Sequence, residues 1–91
     1  MAHVIIKLKV MPEGTDVDLD KLDTDIQEKI KKFGAQYTST GVEPIAFGLK
    51  ALNFTFSMDE SLGDTEDLEK DISSLKRVSS VSVTGCSRAL G

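Results

Sequence analysis

Apolar and polar positions alternate from the first strand-like run of the chain, where Val4, Ile6, Leu8 and Val10 enclose Lys7 and Lys9. A period of two puts one side of an extended segment inside and the other in water, so this run predicts a half-buried strand. Met11-Pro12-Glu13-Gly14 breaks the ladder. The apolar spacing then lengthens to three and four through Leu19, Leu22, Ile26, Ile30 and Phe33, the stripe of an amphipathic helix that Asp16 or Asp18 starts and Gly34 stops. From Ala35 through Val42 the chain reads as extended, and Gln36, Thr38 and Thr40 give it the polarity of an edge strand. A third extended run carries Leu52, Phe54 and Phe56 on one face and Ala51, Asn53 and Thr55 on the other, with Pro44 expected outside the ladder. After Gly63, Asp64 or Thr65 caps a second helix bearing Leu68, Ile72 and Leu75, with acids in its first turn where the dipole favours them. Val78, Val81 and Val83, alternating with Ser80 and Ser82, form a last strand before a short tail from Gly85 to Gly91.

The order strand, helix, strand, strand, helix, strand predicts an α+β fold: a ferredoxin-like βαββαβ sandwich with a four-stranded antiparallel sheet and two helices on one face. The 91 residues, 40% of them hydrophobic, fit one domain spanning 1–91, with no linker or repeat inside it. A chain of this length buries about 60 to 65% of its unfolded surface, and a deep substrate cavity competes with the core for the same apolar side chains. Surface binding is therefore expected over enclosed catalysis. The start lacks the apolar core of a signal peptide, and no apolar run approaches the roughly 20 residues of a membrane span. The expectation is a cytoplasmic protein without a membrane partner, and the lone Cys86 is consistent with a reducing compartment.

The charge of −4 comes from 15 acidic against 11 basic side chains. Asp59, Glu60, Asp64, Glu66, Asp67, Glu69 and Asp71 crowd one region in which only Lys70 is basic, and a phosphate backbone is repelled there. Direct nucleic-acid binding is thus not expected. Catalytic sets are missing too. His3 is the sole histidine, Cys86 has no nearby histidine partner in the sequence, and no Gly-rich phosphate loop or metal-ligand Cys pair occurs. Asp16, Asp18 and Asp20 imitate the start of a calcium loop, but its sixth position is Lys21 and its twelfth Gln27, so helix capping accounts for them. The pattern predicts no enzyme, cofactor or metal site. An RNA-recognition or small-ligand module remains the alternative for this fold. Against RNA, the first strand has no aromatic and Phe54 and Phe56 share the register of Leu52; against a ligand carrier, Cys-x-x-Cys and a glycine-rich turn are lacking.

Glu43-Pro44-Ile45-Ala46-Phe47-Gly48-Leu49-Lys50-Ala51-Leu52 places a phenylalanine at a turn between two strands. Such a ring either folds back on its own core or stands available to a partner. In the predicted topology Phe47 and Arg88 lie at opposite ends of the sheet, roughly 25 to 30 Å apart at about 3.3 Å per strand residue. One partner with two lobes can touch both.

That block, with Val10-Met11-Pro12-Glu13-Gly14, Asp16-Val17-Asp18-Leu19 and the closing segment from Val83 to Leu90, resembles archaeal elongation factor 1-beta over essentially the whole chain. The chain is also similar to the carboxy-terminal catalytic domain of the eukaryotic counterpart. The resemblance implies the same βαββαβ fold and guanine nucleotide exchange on elongation factor 1-alpha, the GTPase that delivers aminoacyl-tRNA, engaged in GDP-bound and nucleotide-free states. It implies that Phe47 docks into the second domain of the GTPase, with Pro44, Ile45, Gly48 and Lys50 around it and Leu90 at the other end. It also implies that Arg88 approaches the magnesium site. Eukaryotic relatives carry lysine there, and the planar guanidinium is bulkier than an ammonium.

Overall fold

A computed structural model describes residues 3–62 and 65–89. Along the chain lie β1 (His3–Pro12), α1 (Leu19–Phe33), β2 (Gln36–Pro44), β3 (Lys50–Asp59), a short 3-10 turn at Glu60–Leu62, α2 (Glu66–Ser73) and β4 (Val78–Ala89). The four strands form one sheet in the order β2-β3-β1-β4, every neighbouring pair antiparallel. This is the expected ferredoxin-like α+β arrangement.

The alternation of β1 turns Ile6, Leu8 and Val10 toward the helices, and their partners across β3, Phe56, Phe54 and Leu52, share that face. Leu22, Ile26 and Ile30 of α1 and Leu68 and Ile72 of α2 close the core above them. Phe54 and Phe56 are fully buried there. Removing each from water contributes about 1.5–3 kcal/mol, which fixes the sheet register, because a slip by one residue would turn every core side chain outward.

The ends of α1 follow sequence-local chemistry. Asp18 is the N-cap: its carboxylate accepts the backbone N–H groups of Asp20 and Lys21 at 3.0 and 3.3 Å. Gly34, in the left-handed region at φ 101°, ends the helix and donates its N–H to Lys31 O at 3.0 Å. A partly buried polar relay joins α1 to β2. The Thr40 hydroxyl donates to Asp23 Oδ1 at 2.9 Å, so the Tyr37 hydroxyl, 2.5 Å from Thr40 Oγ1, is the donor of that pair. At α2 the cap position falls to Thr65, whose hydroxyl donates to the Glu69 side chain at 3.2 Å and accepts no backbone N–H of the helix; Asp64 lies outside the described residues.

Two boundaries differ from the sequence reading. Pro44 is the last residue of β2 and pairs with Lys50. Ile45 N–H donates to Leu49 O at 2.8 Å, so the antiparallel alternation leaves Pro44 at a position whose nitrogen points away from β3, toward the open edge, and its missing hydrogen costs the ladder nothing. The segment expected as a tail after Val83 is the second half of β4. Its backbone pairs with Lys7 through His3 and covers what would otherwise be a bare edge of β1, which requires no apolar side chains.

Within β4, Val83 faces Leu8 and Gly85 faces Lys7, leaving Thr84 as an extra residue. This bulge inverts the alternation: beyond it Cys86 and Arg88 share the helix side with Ile6 and Val4. Cys86 is exposed there.

Asp18→Ala is expected to lower stability by about 1 kcal/mol and the melting temperature by about 4–8 °C. Asp16→Ala, which removes no cap, should change stability by less than about 0.5 kcal/mol. Paired thermal melts check the difference.

Candidate functional site

The β2–β3 hairpin closes through residues Ala46 to Leu49, with Leu49 N–H donating to Ala46 O at 2.9 Å. Both central residues have positive φ, 55° at Phe47 and 82° at Gly48, the pattern of a type I′ turn that matches the twist of the flanking strands. Glycine accepts this conformation freely. A phenylalanine does not, because its Cβ crowds the backbone at a cost of about 1–2 kcal/mol. Its ring gains nothing in return, since Phe47 is 97% exposed. The ring does not fold back onto the core, so both backbone and side chain are unfavourable in the free protein.

The base of the hairpin is braced on the helix-free face. Glu43 accepts from Asn53 Nδ2 at 3.0 Å and from Lys9 Nζ at 3.4 Å. The Asn53 hydrogen bond and then the Lys9 charge hold the Glu43 carboxyl below its ordinary range. Around the tip Pro44, Ile45, Gly48 and Lys50 are exposed, and Val42 and Ile45 add apolar surface at 56% and 39% exposure. Sequence reasoning missed Val42; the signal was one branched aliphatic side chain among the threonines and serine of that strand. On its other flank the hairpin approaches the β1–α1 loop, where Thr15 Cγ2 lies 3.6 Å from the point a Cβ on Gly48 would occupy.

Arg88 lies at the far end, opposite Val4 on β1, in the row that Met58 completes on β3. Its Nη2 donates to Glu60 Oε1. Glu60 opens the 3-10 turn that follows β3, and Asp59 Oδ1 anchors that turn by accepting Ser61 N–H at 2.9 Å, which holds the Asp59 carboxyl below its usual value. No spacing or motif marks Glu60 as a partner of Arg88, because the contact depends on the Thr84 bulge. From the level of Val4 to that of Lys50 is eight residue steps along β1 and β3, so Phe47 and Arg88 stand roughly 25–30 Å apart at about 3.3 Å per step, in a molecule 42 Å long. Pro44, Ile45, Phe47, Gly48 and Lys50 come together; Arg88 stands apart from them; Leu90 lies outside the described residues.

The helix-free face holds a shallow hollow of about 480 Å³ lined by Lys7, Lys9, Ser39, Glu43, Asn53 and Thr55. It carries no stacking aromatic at the β1 and β3 positions Ile5, Lys7, Lys9, Asn53, Thr55 and Ser57, because Phe54 and Phe56 are turned to the helices. A groove of about 530 Å³ between α1 and α2 runs past Lys29, Phe33, Leu68 and Asp71. Among the described residues no cluster of His, Cys, Asp and Glu is arranged to hold a metal ion, and no helix is long and apolar enough to cross a membrane.

Residues 5–89 match the family described as the EF-1 guanine nucleotide exchange domain. The elongation factor 1-beta of Methanothermobacter thermautotrophicus is 41% identical over 90 residues, covering 99% of this chain and all of that protein. That of Methanobrevibacter smithii is 40% identical over the same shares. Among solved structures, the ACT domain from GTP pyrophosphokinase of Chlorobium tepidum superposes with a TM-score of 0.60 at 14% identity, covering 87% of this chain and 95% of that one, a likeness of fold alone.

Phe47→Asn should relieve the left-handed backbone, since asparagine tolerates positive φ, and stabilise the isolated protein by about 0.5–1 kcal/mol. Denaturant titration of the two proteins measures this; a loss of stability would mean the ring contributes to the fold.

Proposed function

This chain belongs to the EF-1 guanine nucleotide exchange domain family and acts in guanine nucleotide exchange on elongation factor 1-alpha, and we propose that it does so as one rigid domain gripping the GTPase at both ends of its sheet. The observation that carries this reading is the 97% exposed Phe47, held on a strained turn that only burial elsewhere would justify.

Phe47 is the anchor. An aromatic ring that loses water at the centre of an interface supplies about 2–4 kcal/mol, a roughly 30- to 700-fold gain in affinity. Its turn is already formed, so little ordering entropy is lost on binding. Pro44, Ile45, Gly48 and Lys50 form the surround of that anchor, and Val42 extends its apolar part. Arg88, with Leu90 beyond it, addresses the nucleotide end.

Exchange follows from linkage. A factor that binds the nucleotide-free GTPase more tightly than the GDP form weakens GDP by the same ratio. A guanidinium brought beside the partner's magnesium and phosphates competes with a divalent charge that ties nucleotide to protein, and that competition is present only when the factor is bound. No bond in GDP is made or broken, so the chain acts by binding and not as an enzyme with a covalent step. It meets both GDP-bound and nucleotide-free partner in the cytoplasm, without a membrane or direct contact with nucleic acid. The RNA-binding alternative lacks support, since the aromatics it would need are buried at Phe54 and Phe56.

Release of a fluorescent GDP analogue from archaeal elongation factor 1-alpha, with magnesium and excess unlabelled nucleotide, tests the reading. Wild type should accelerate release. Phe47→Ala should require roughly 30- to 700-fold more factor for the same effect. Arg88→Ala should bind comparably and lower the maximal rate at least about tenfold, or about 1.4 kcal/mol of coupling. An unaltered release rate with active GTPase would overturn the proposal and make RNA or a small ligand the next candidate.

A further inference from the structure

We propose that Glu60 is a positioning residue for Arg88, fixing where the guanidinium is presented to the partner. The inference rests on the assignment of Arg88 as the cation addressed to the nucleotide end. Arg88 sits on an edge strand near its last described residue, and its side chain is 64% exposed. A long side chain in that setting has many rotamers and no packing to select one.

Three features remove that freedom. The bulge at Thr84 turns Arg88 to the helix side, and the Thr84 hydroxyl secures the bulge by donating to Lys7 O at 3.3 Å. Had the alternation of Val81 and Val83 continued, Arg88 would project from the opposite face, away from Glu60. Glu60 in turn stands on a turn that Asp59 anchors through Ser61 N–H. The contact then uses only one guanidinium nitrogen, Nη2 to Glu60 Oε1. The donors on Nε and Nη1 stay available for a phosphate or carboxylate oxygen of the partner, so the ion pair holds the fork without consuming it.

An exposed ion pair of this kind has a modest effect, which sets the scale of the test. Nucleotide release is followed with wild type, Glu60→Ala, Arg88→Ala and the double variant, each over a range of factor concentrations. Thermal melts first show that each variant is folded. Glu60→Ala should lower the maximal release rate about two- to fivefold, with the half-saturating concentration unchanged. Glu60→Gln, which keeps an acceptor oxygen, should recover part of the loss. In the Arg88→Ala background the Glu60 substitution should have no further effect, whereas a merely structural role would slow both backgrounds alike.

An unchanged or faster rate for Glu60→Ala, a change confined to the half-saturating concentration, or an equal loss in both backgrounds would overturn the inference while leaving the function intact. If Arg88→Ala itself released nucleotide at the wild-type rate, the assignment of Arg88 would fall and the role of Glu60 with it.

Discussion

The pairing of β1 with a strand on each side is the constraint from which the rest of the molecule follows. Ile6, Leu8 and Val10 on that strand seat the core, and the same ten residues set the registers of β3 and β4. Because β3 ends the hairpin beyond Val10 and β4 ends opposite His3, the two candidate contact sites are held apart by one strand length of hydrogen-bonded backbone. A sheet with a buried face cannot slip without exposing Phe54 and Phe56, so that separation is as rigid as the core itself. The spacing of the two ends is thus a product of core packing.

The two ends solve the problem of presentation differently. At the hairpin, the backbone is strained and the ring exposed, so local stability is given up to hold Phe47 clear of the surface, with Glu43, Lys9 and Asn53 bracing the base. Strain of this sort persists only where the surroundings over-determine it, and the bonds from Ile45 and Leu49 that close the turn do so. At the other end no described residue other than glycine has a left-handed backbone. There a bulge aims Arg88 and a carboxylate on a neighbouring turn limits its motion. Among the acids of α2, Asp71 has a structural part: Lys29 reaches it at 3.1 Å and ties the two helices together.

What the sequence disclosed and what it withheld divide along a physical line. Side-chain periodicity reports burial, so the core faces of β1, α1 and β3 were legible, as were Asp18 and Gly34 at the ends of α1. The turn at Phe47 and Gly48 could be located from composition. Its left-handed phenylalanine could not be anticipated, because glycine and asparagine announce positive φ and an aromatic residue does not. The second half of β4 was hidden because it pairs through backbone while Thr84, Gly85, Cys86 and Ser87 carry no apolar alternation. The Thr84 bulge shifts parity by one residue without any compositional mark, and the Glu60 to Arg88 contact depends on it. The motif block around Phe47 identified the family, while the Arg88 end is assembled only by the fold, from β4 and the turn after β3.

Simultaneous engagement of both ends is the central claim, and hydrogen–deuterium exchange of the complex with nucleotide-free elongation factor 1-alpha addresses it directly. The account predicts that backbone amides of residues 45–50 and of residues 85–89 both gain protection on binding, while the solvent side of α1 does not. Protection confined to one of those segments would contradict a two-ended grip.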